Sequence, residues 1–199
     1  MKKSLFLAAA FLLSVGAFGQ SARTILDKAA AAVSHPSGVK AHFQMISKQF
    51  GKFEGDIAVK GNKFSASTPD ALVWFDGKTQ WTYMKQNEEV NVSNPTEAEL
   101  QAINPYNFIN IYKKGFDLSS KEFPTYHEVH LTPSARQRGI EEMYIIVDKQ
   151  TSHPTIVKMR RKGKWSIIYI SRLQKAALSD AAFRFDAKEF PNAEIIDLR

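Results

Sequence analysis

The sequence predicts a mainly β, single-domain protein in which short helices interrupt a run of antiparallel strands. Three observations carry that reading. Short runs of alternating apolar and polar residues recur from Val39 to Leu173, the period-two pattern of half-buried strands. Asp76-Gly77 sits between two aromatic-rich runs, a strong short-range hairpin signal. Between residues 94 and 115 the alternation gives way to residues that start and stop helices.

Composition fits a globular domain with a large core. The chain has 199 residues, 44% hydrophobic and 24% charged, with 14 Phe, and nothing in it suggests disorder. There is no Cys, which excludes disulfides, thiolate chemistry, Cys-based metal sites and a lipid-modified N-terminal Cys. Residues 1–19 read as a secretory signal peptide. Lys2-Lys3 is its basic region, Leu5 to Leu13 its apolar region and Ala17-Phe18-Gly19 its small-x-small cleavage site. The apolar run is too short to span a membrane. The expected mature chain, residues 20–199, has 25 basic and 20 acidic residues, a net charge of +5. That is mildly basic and not the profile of a nucleic-acid binder.

Taken in order, Ser21 to Val33 should be helical, with Ile25, Leu26, Ala29, Ala30 and Val33 on one side. His35-Pro36-Ser37-Gly38 ends it. Val39, Ala41, Phe43 and Met45 then alternate with Lys40, His42 and Gln44, and Phe53, Gly55, Ile57 and Val59 repeat the pattern. Gly61-Asn62 turns the chain into Lys63-Phe64-Ser65. A two-residue turn at Asp76-Gly77 would set Phe75 opposite Lys78, Trp74 opposite Thr79 and Leu72 opposite Trp81. One face of that hairpin then carries Leu72, Trp74, Trp81 and Tyr83, the other Val73, Phe75, Gln80 and Thr82. Val90 and Val92 add a third strand.

Asn94-Pro95-Thr96-Glu97 has the form of a capping box, with Leu100 and Ile103 as the apolar side of the helix it opens. Asn104-Pro105 restarts a helix through Phe108 and Tyr112, ended by Lys113-Lys114 and Gly115. After Pro124, strands are expected near His127–Thr132, Met143–Asp148, Thr155–Arg160 and Trp165–Leu173, with a polar loop over Ser134 to Glu142 and a turn at Lys162-Gly163. An Ala-rich segment around Ala176–Ala182 precedes Phe183-Arg184-Phe185, and Ala193 to Asp197 is strand-like.

Catalytic and cofactor signatures are missing: the chain has no G-x-S-x-G, P-loop, G-x-G-x-x-G or H-E-x-x-H, so no cofactor, metal or catalytic residue is expected. His127 and His130 lie three apart, which in a strand places them on opposite faces. Glu141-Glu142 reads as a solvated strand start. The basic run from Lys158 to Lys164 reads as a charged hairpin tip that keeps the sheet soluble. Within it Arg160, Arg161, Lys162 and Lys164 are the candidates for docking on a partner or a membrane surface.

The succession of elements resembles the LolA family of periplasmic carriers of outer-membrane lipoproteins. The stretches that carry the resemblance are Trp74 to Tyr83 with Glu89-Val90, the Asn104-Pro105 to Gly115-Phe116 helix, Val129 to Pro133, Val147 to Thr151 with Pro154, and Phe183-Arg184-Phe185. The resemblance spans essentially the whole mature chain. It implies a curved, incomplete antiparallel β-barrel with a helical lid over a hydrophobic concave face. By position, Phe43, Met45, Ile57, Val59, Leu72, Trp74, Trp81, Tyr83, Val90 and Val92 would line that face and hold acyl chains, and Leu100, Ile103, Phe108 and Tyr112 would lie on the lid. The implied partners are acylated lipoproteins, an inner-membrane lipoprotein-releasing ABC transporter and, where one exists, an outer-membrane acceptor; the carrier would be a monomer. One departure concerns the lid: where many members of the family carry an Arg that latches it, this chain reads Lys60-Gly61-Asn62-Lys63, and lysine lacks the planar guanidinium fork.

Overall fold

The computed structural model describes residues 16–48, 51–96, 99–100, 111–134 and 139–199, with the side chains of the first helix described from Ala22 onward. Helix α1 (Gly16–Val33) is followed by twelve strands: β1 (Val39–Ser47), β2 (Gly51–Lys60), β3 (Lys63–Ser67), β4 (Ala71–Phe75), β5 (Gln80–Met84), β6 (Glu89–Ser93), β7 (Phe116–Glu122), β8 (Tyr126–Pro133), β9 (Glu142–Asp148), β10 (Pro154–Arg161), β11 (Lys164–Lys175) and β12 (Glu194–Asp197). All twelve form one sheet in the order β12-β6-β5-β4-β3-β2-β1-β11-β10-β9-β8-β7. Its two edges, β12 and β7, do not pair with each other, so the barrel is incomplete. Every pairing is antiparallel except β12 with β6, which is parallel.

The expected strands are present, and three local expectations change. β7 is a strand where none was expected. Its Phe116 and Leu118 alternate inward, but Ser119-Ser120-Lys121-Glu122 contains no β-branched or aromatic residue to signal a strand. The turn after β4 has four residues rather than two. The Asp76 carboxylate accepts hydrogen bonds from the backbone N–H of Lys78 (3.0 Å) and Thr79 (2.9 Å), an Asx-type turn that competes with the two-residue form. Trp74 therefore pairs with Trp81, and Leu72 with Tyr83. The register moves by two residues and each side chain keeps its face. The capping box also sits two residues later than expected. Glu99 Oε2 accepts from Thr96 N and Oγ1 at 2.8 Å each, and Glu99 N donates to Thr96 Oγ1, while Asn94 Oδ1 accepts from the Thr79 hydroxyl.

Register fixes which side chains share a face, because facing residues in a ladder point the same way. Phe43 faces Gly55, Val59 faces Phe64, and Phe64 faces Phe75. Across the other half, Phe43 faces Ile170, Ile168 faces Val157, Val157 faces Ile145, and Ile145 faces Val129. This is the inner face, and α1 lies on it. Ala22, Leu26, Ala29 and Val33 form one hydrophobic cluster with buried residues of β1–β4 and β7–β11. The helix expected over Ser21–Val33 is thus present, longer at its start and bearing its apolar stripe on the sheet. Phe43 can lie across β2 only because Gly55 is there: a Cβ at that position would stand 2.1 Å from the Ser67 carbonyl oxygen and 3.2 Å from the Phe43 ring.

Candidate functional site

The inner face is the larger apolar surface of the protein. Phe43, Ile57, Val59, Phe64 and Phe75 from one half of the sheet and Val129, Leu131, Met143, Ile145 and Ile168 from the other are all buried. Phe43 meets Phe53 edge-on at 6.1 Å, and Phe64 meets Phe75 at 5.4 Å. What covers this surface is a helix, not a second sheet. Leu26 and Val33 each bury a full side chain, an effect of about 1.5–3 kcal/mol apiece, whereas Ala22 and Ala29 contribute little side-chain area. Tyr112 is 1% exposed, and its hydroxyl donates to Asp27 Oδ1 on α1 at 2.6 Å. Burial and the adjacent Asp27 carboxylate together push the Tyr112 phenol well above its ordinary pKa. It is a neutral donor at any physiological pH.

The ten residues expected to line one concave face lie on two. Phe43, Met45, Ile57 and Val59 are on the inner face, in the hydrophobic cluster that also holds α1. Leu72, Trp74, Trp81, Tyr83, Val90 and Val92 are on the opposite, outer face. The division occurs at β3, where Phe64 joins the inner core and Ser65 sits opposite Trp74. Of the expected lid residues, Leu100 packs on the inner cluster and Tyr112 is buried within it. Ile103 and Phe108 lie outside the described residues.

The outer aromatic residues are covered by the segment that follows β11. Phe185 and Phe190 each meet Trp74 at 5.7 Å, and Phe190 lies 4.7 Å from Tyr83. Phe183, fully buried, packs with Leu178 on Ala58. Two short 3₁₀ turns, Asp180–Phe183 and Ala187–Glu189, shape this strap. Polar ties hold it down. Lys60 Nζ donates to the Leu178 carbonyl at 2.7 Å, Lys63 Nζ lies 2.8 Å from Asp180, and Arg184 reaches Asp76 at 3.3 Å. Lys60 and Lys63, which stand where a lid-latching Arg was sought, thus bind the outer strap. The Asp76 carboxyl is raised by burial but falls below its ordinary pKa on balance, through hydrogen bonds from Thr79, Lys78 and Arg184.

The basic hairpin tip does not present one free cationic surface. Arg160 lies 3.3 Å from Glu141 and from Glu142, with its guanidinium 5.7 Å from the Trp165 ring. Arg161 points to the other side of β10, where burial lowers its pKa. Lys162 and Lys164 are exposed. Glu142, expected to be solvated, accepts from Tyr144 at 2.7 Å and lies 3.1 Å from His130. The Tyr144 bond leads the effects that lower its pKa. His127 and His130 lie on opposite faces, as the strand period requires.

Sequence reasoning did not place the two segments that cover the sheet. The α1 stripe was legible as amphipathic, but nothing local says what an amphipathic helix covers. The strap was signalled by Phe183, Phe185 and Phe190, three aromatic residues in a tail with no strand to bury them.

A family model described as outer membrane lipoprotein carrier protein LolA matches residues 13–164. No curated protein matches the chain in sequence. Among solved structures, an uncharacterized conserved protein from Thermus thermophilus is similar at 14% identity and TM-score 0.60, over 89% of this chain and 99% of that one. A LolA superfamily protein from Nitrosomonas europaea aligns at 13% identity and TM-score 0.45, over 83% and 98% of the two chains. A lipoprotein-sorting protein domain from Vibrio parahaemolyticus aligns at 13% and 0.48, over 83% and 97%.

Proposed function

The chain belongs to the family of the outer membrane lipoprotein carrier protein LolA, and from that premise we propose that it is a periplasmic carrier that binds the acyl chains of lipoproteins and takes them from the inner to the outer membrane. The observation that supports this most is the cover of the inner face: α1 buries an apolar stripe there, with the Asp27–Tyr112 bond among its polar ties to the rest of the fold. An acyl chain entering the inner face takes the place of α1. One of about fifteen CH₂ groups gains on the order of 12 kcal/mol on complete burial, at roughly 0.8 per CH₂. Several chains bound that tightly would never leave. A helix that competes for the same surface lowers the net affinity to a reversible level. No covalent step is required. In this reading the client is received from an inner-membrane lipoprotein-releasing ABC transporter and given up at the outer membrane, and residues 1–19 direct export.

The test is affinity capture of the tagged mature protein from periplasm, with the eluate resolved into protein and free lipid. Acylated lipoproteins in the eluate, lost when their acylated Cys is replaced by Ser, support the carrier. Free lipid with no lipoprotein would make it a binding protein for another lipid, and an empty eluate rejects both.

A further inference from the structure

On the face opposite α1, a trough of about 460 Å³ crosses β4, β3, β2, β1 and β11. Its floor is low because Ala58, Ser65 and Ser67 are small. With neighbouring strands ~4.8 Å apart, the four steps from β4 to β11 span about 19 Å. The two ends differ in character. At the β4 end stand Leu72 and Trp74, and at the other end Lys40, Arg172 and Gln174.

Arg172 is held there by an unusual backbone. Its φ is +51°, a left-handed conformation rare outside glycine. It lies where the β1–β11 register slips between Lys40 and His42, and a bulge of this kind redirects a side chain that regular alternation would place elsewhere. The guanidinium uses one amino group on Asp56, at 3.5 Å, and His42 Nδ1 lies 3.1 Å from the same carboxylate oxygen. Asp56 is thus already engaged by two donors. Arg172, Lys40, Ser65, Ser67 and Gln174 all line the trough, and apart from the Arg172–Asp56 contact their side chains have no described protein partner. Surplus donors at one end, hydroxyls midway and an indole with an aliphatic side chain at the other end match a ligand graded in the same order.

We infer that the trough binds an amphiphile with an anionic head, an oxygen-bearing neck and an apolar tail. Arg172 and Lys40 hold the head, Ser65 and Ser67 meet the neck, and the tail lies against Leu72 and Trp74. Guanidinium and ammonium groups supply charge-assisted hydrogen bonds to the head. The site is independent of the carrier function, because neither Arg172 nor Lys40 reaches α1 or the inner face.

The probe is 1-lauroyl lysophosphatidate below its micelle concentration, titrated into the mature protein and followed by amide shifts. Monolauroylglycerol (neck and tail only) and glycerol 3-phosphate (head and neck only) are the controls. Shifts should map to β1, β3 and β11, and each control should bind at least about tenfold more weakly. Arg172→Gln and Lys40→Gln, both at exposed positions, should each weaken lysophosphatidate about tenfold, the loss of one charge-assisted contact, and leave monolauroylglycerol unchanged. Equal binding of monolauroylglycerol and lysophosphatidate overturns the proposal. So does full affinity in both variants, or shifts confined to α1 and the inner strands. Because lipoprotein capture is read in a separate assay, failure here leaves the carrier function standing, and the reverse also holds.

Discussion

Both faces of the sheet carry apolar rows, yet those rows are covered in different ways. The outer cover is tied by its backbone. Ala176 N and Leu178 N donate to the carbonyls of Gly38 and Ser37, and Leu198 N donates to Val92, beyond the pairing of β12 with β6. Ion pairs, the buried Phe183 and the Phe185–Phe190 pair against Trp74 reinforce it. The inner cover is a helix whose main-chain hydrogen bonds are internal, held by its apolar stripe and by polar contacts that include the Tyr112–Asp27 bond. A segment paired to the sheet cannot leave without losing main-chain hydrogen bonds, whereas a helix takes its own with it. The strap is thus the harder cover to lift from the sheet, and α1 the easier.

Four experiments break or sharpen this contrast. The largest effect is expected from Phe183→Ala, which empties a fully buried site in the strap. It should cost about 3–5 kcal/mol in guanidinium unfolding without raising the affinity of the folded protein for an apolar fluorescent probe. A gain in probe binding would mean that the strap, too, is a displaceable cover. Leu26→Ala on α1 should cost about 2–5 kcal/mol and do the opposite to binding, since a weakened competitor exposes the inner face more often. Unchanged or weaker probe binding would show that α1 is ordinary core. Tyr112→Phe removes the tie to Asp27 and little else. A loss of about 1 kcal/mol corresponds to roughly fivefold tighter probe binding, readable by fluorescence titration.

The smallest effects are those of pH, and they have opposite signs at the two covers. The Tyr112 pKa is raised above its ordinary 10.0 by burial and then by Asp27. Its contribution is complete below about pH 10 and fades as pH rises beyond that, and Tyr112→Phe should abolish that alkaline loss. The Asp180 pKa is lowered from 3.8, first by its hydrogen bond from Lys63. Its contribution is complete above that value and fades as pH falls through the depressed pKa. Lys63→Gln should remove this slight acid dependence and barely move Tm at neutral pH, because exposed pairs are worth little. Thermal melts at pH 3, 7 and 11 on the three proteins separate the two effects. An alkaline loss that persists in Tyr112→Phe would assign it elsewhere.

The sequence by itself determined which residues share a face within each hairpin. Period-two alternation placed Leu72, Trp74, Trp81 and Tyr83 together even though the turn proved longer than expected, because lengthening the loop by two residues preserves parity. It also determined the α1 stripe and the period that separates His127 from His130. Only the tertiary structure decided which face of one hairpin continues which face of the next, and what covers each. Across β3 that choice rests on one residue of parity, Phe64 or Ser65 opposite the apolar row of β4. Both rows of β4 are apolar, Val73 with Phe75 and Leu72 with Trp74. Hydrophobicity is therefore satisfied either way by the local pattern. The choice belongs to elements distant in sequence: Val73 and Phe75 join the inner cluster that contains α1, and Trp74 meets Phe185 and Phe190 of the strap.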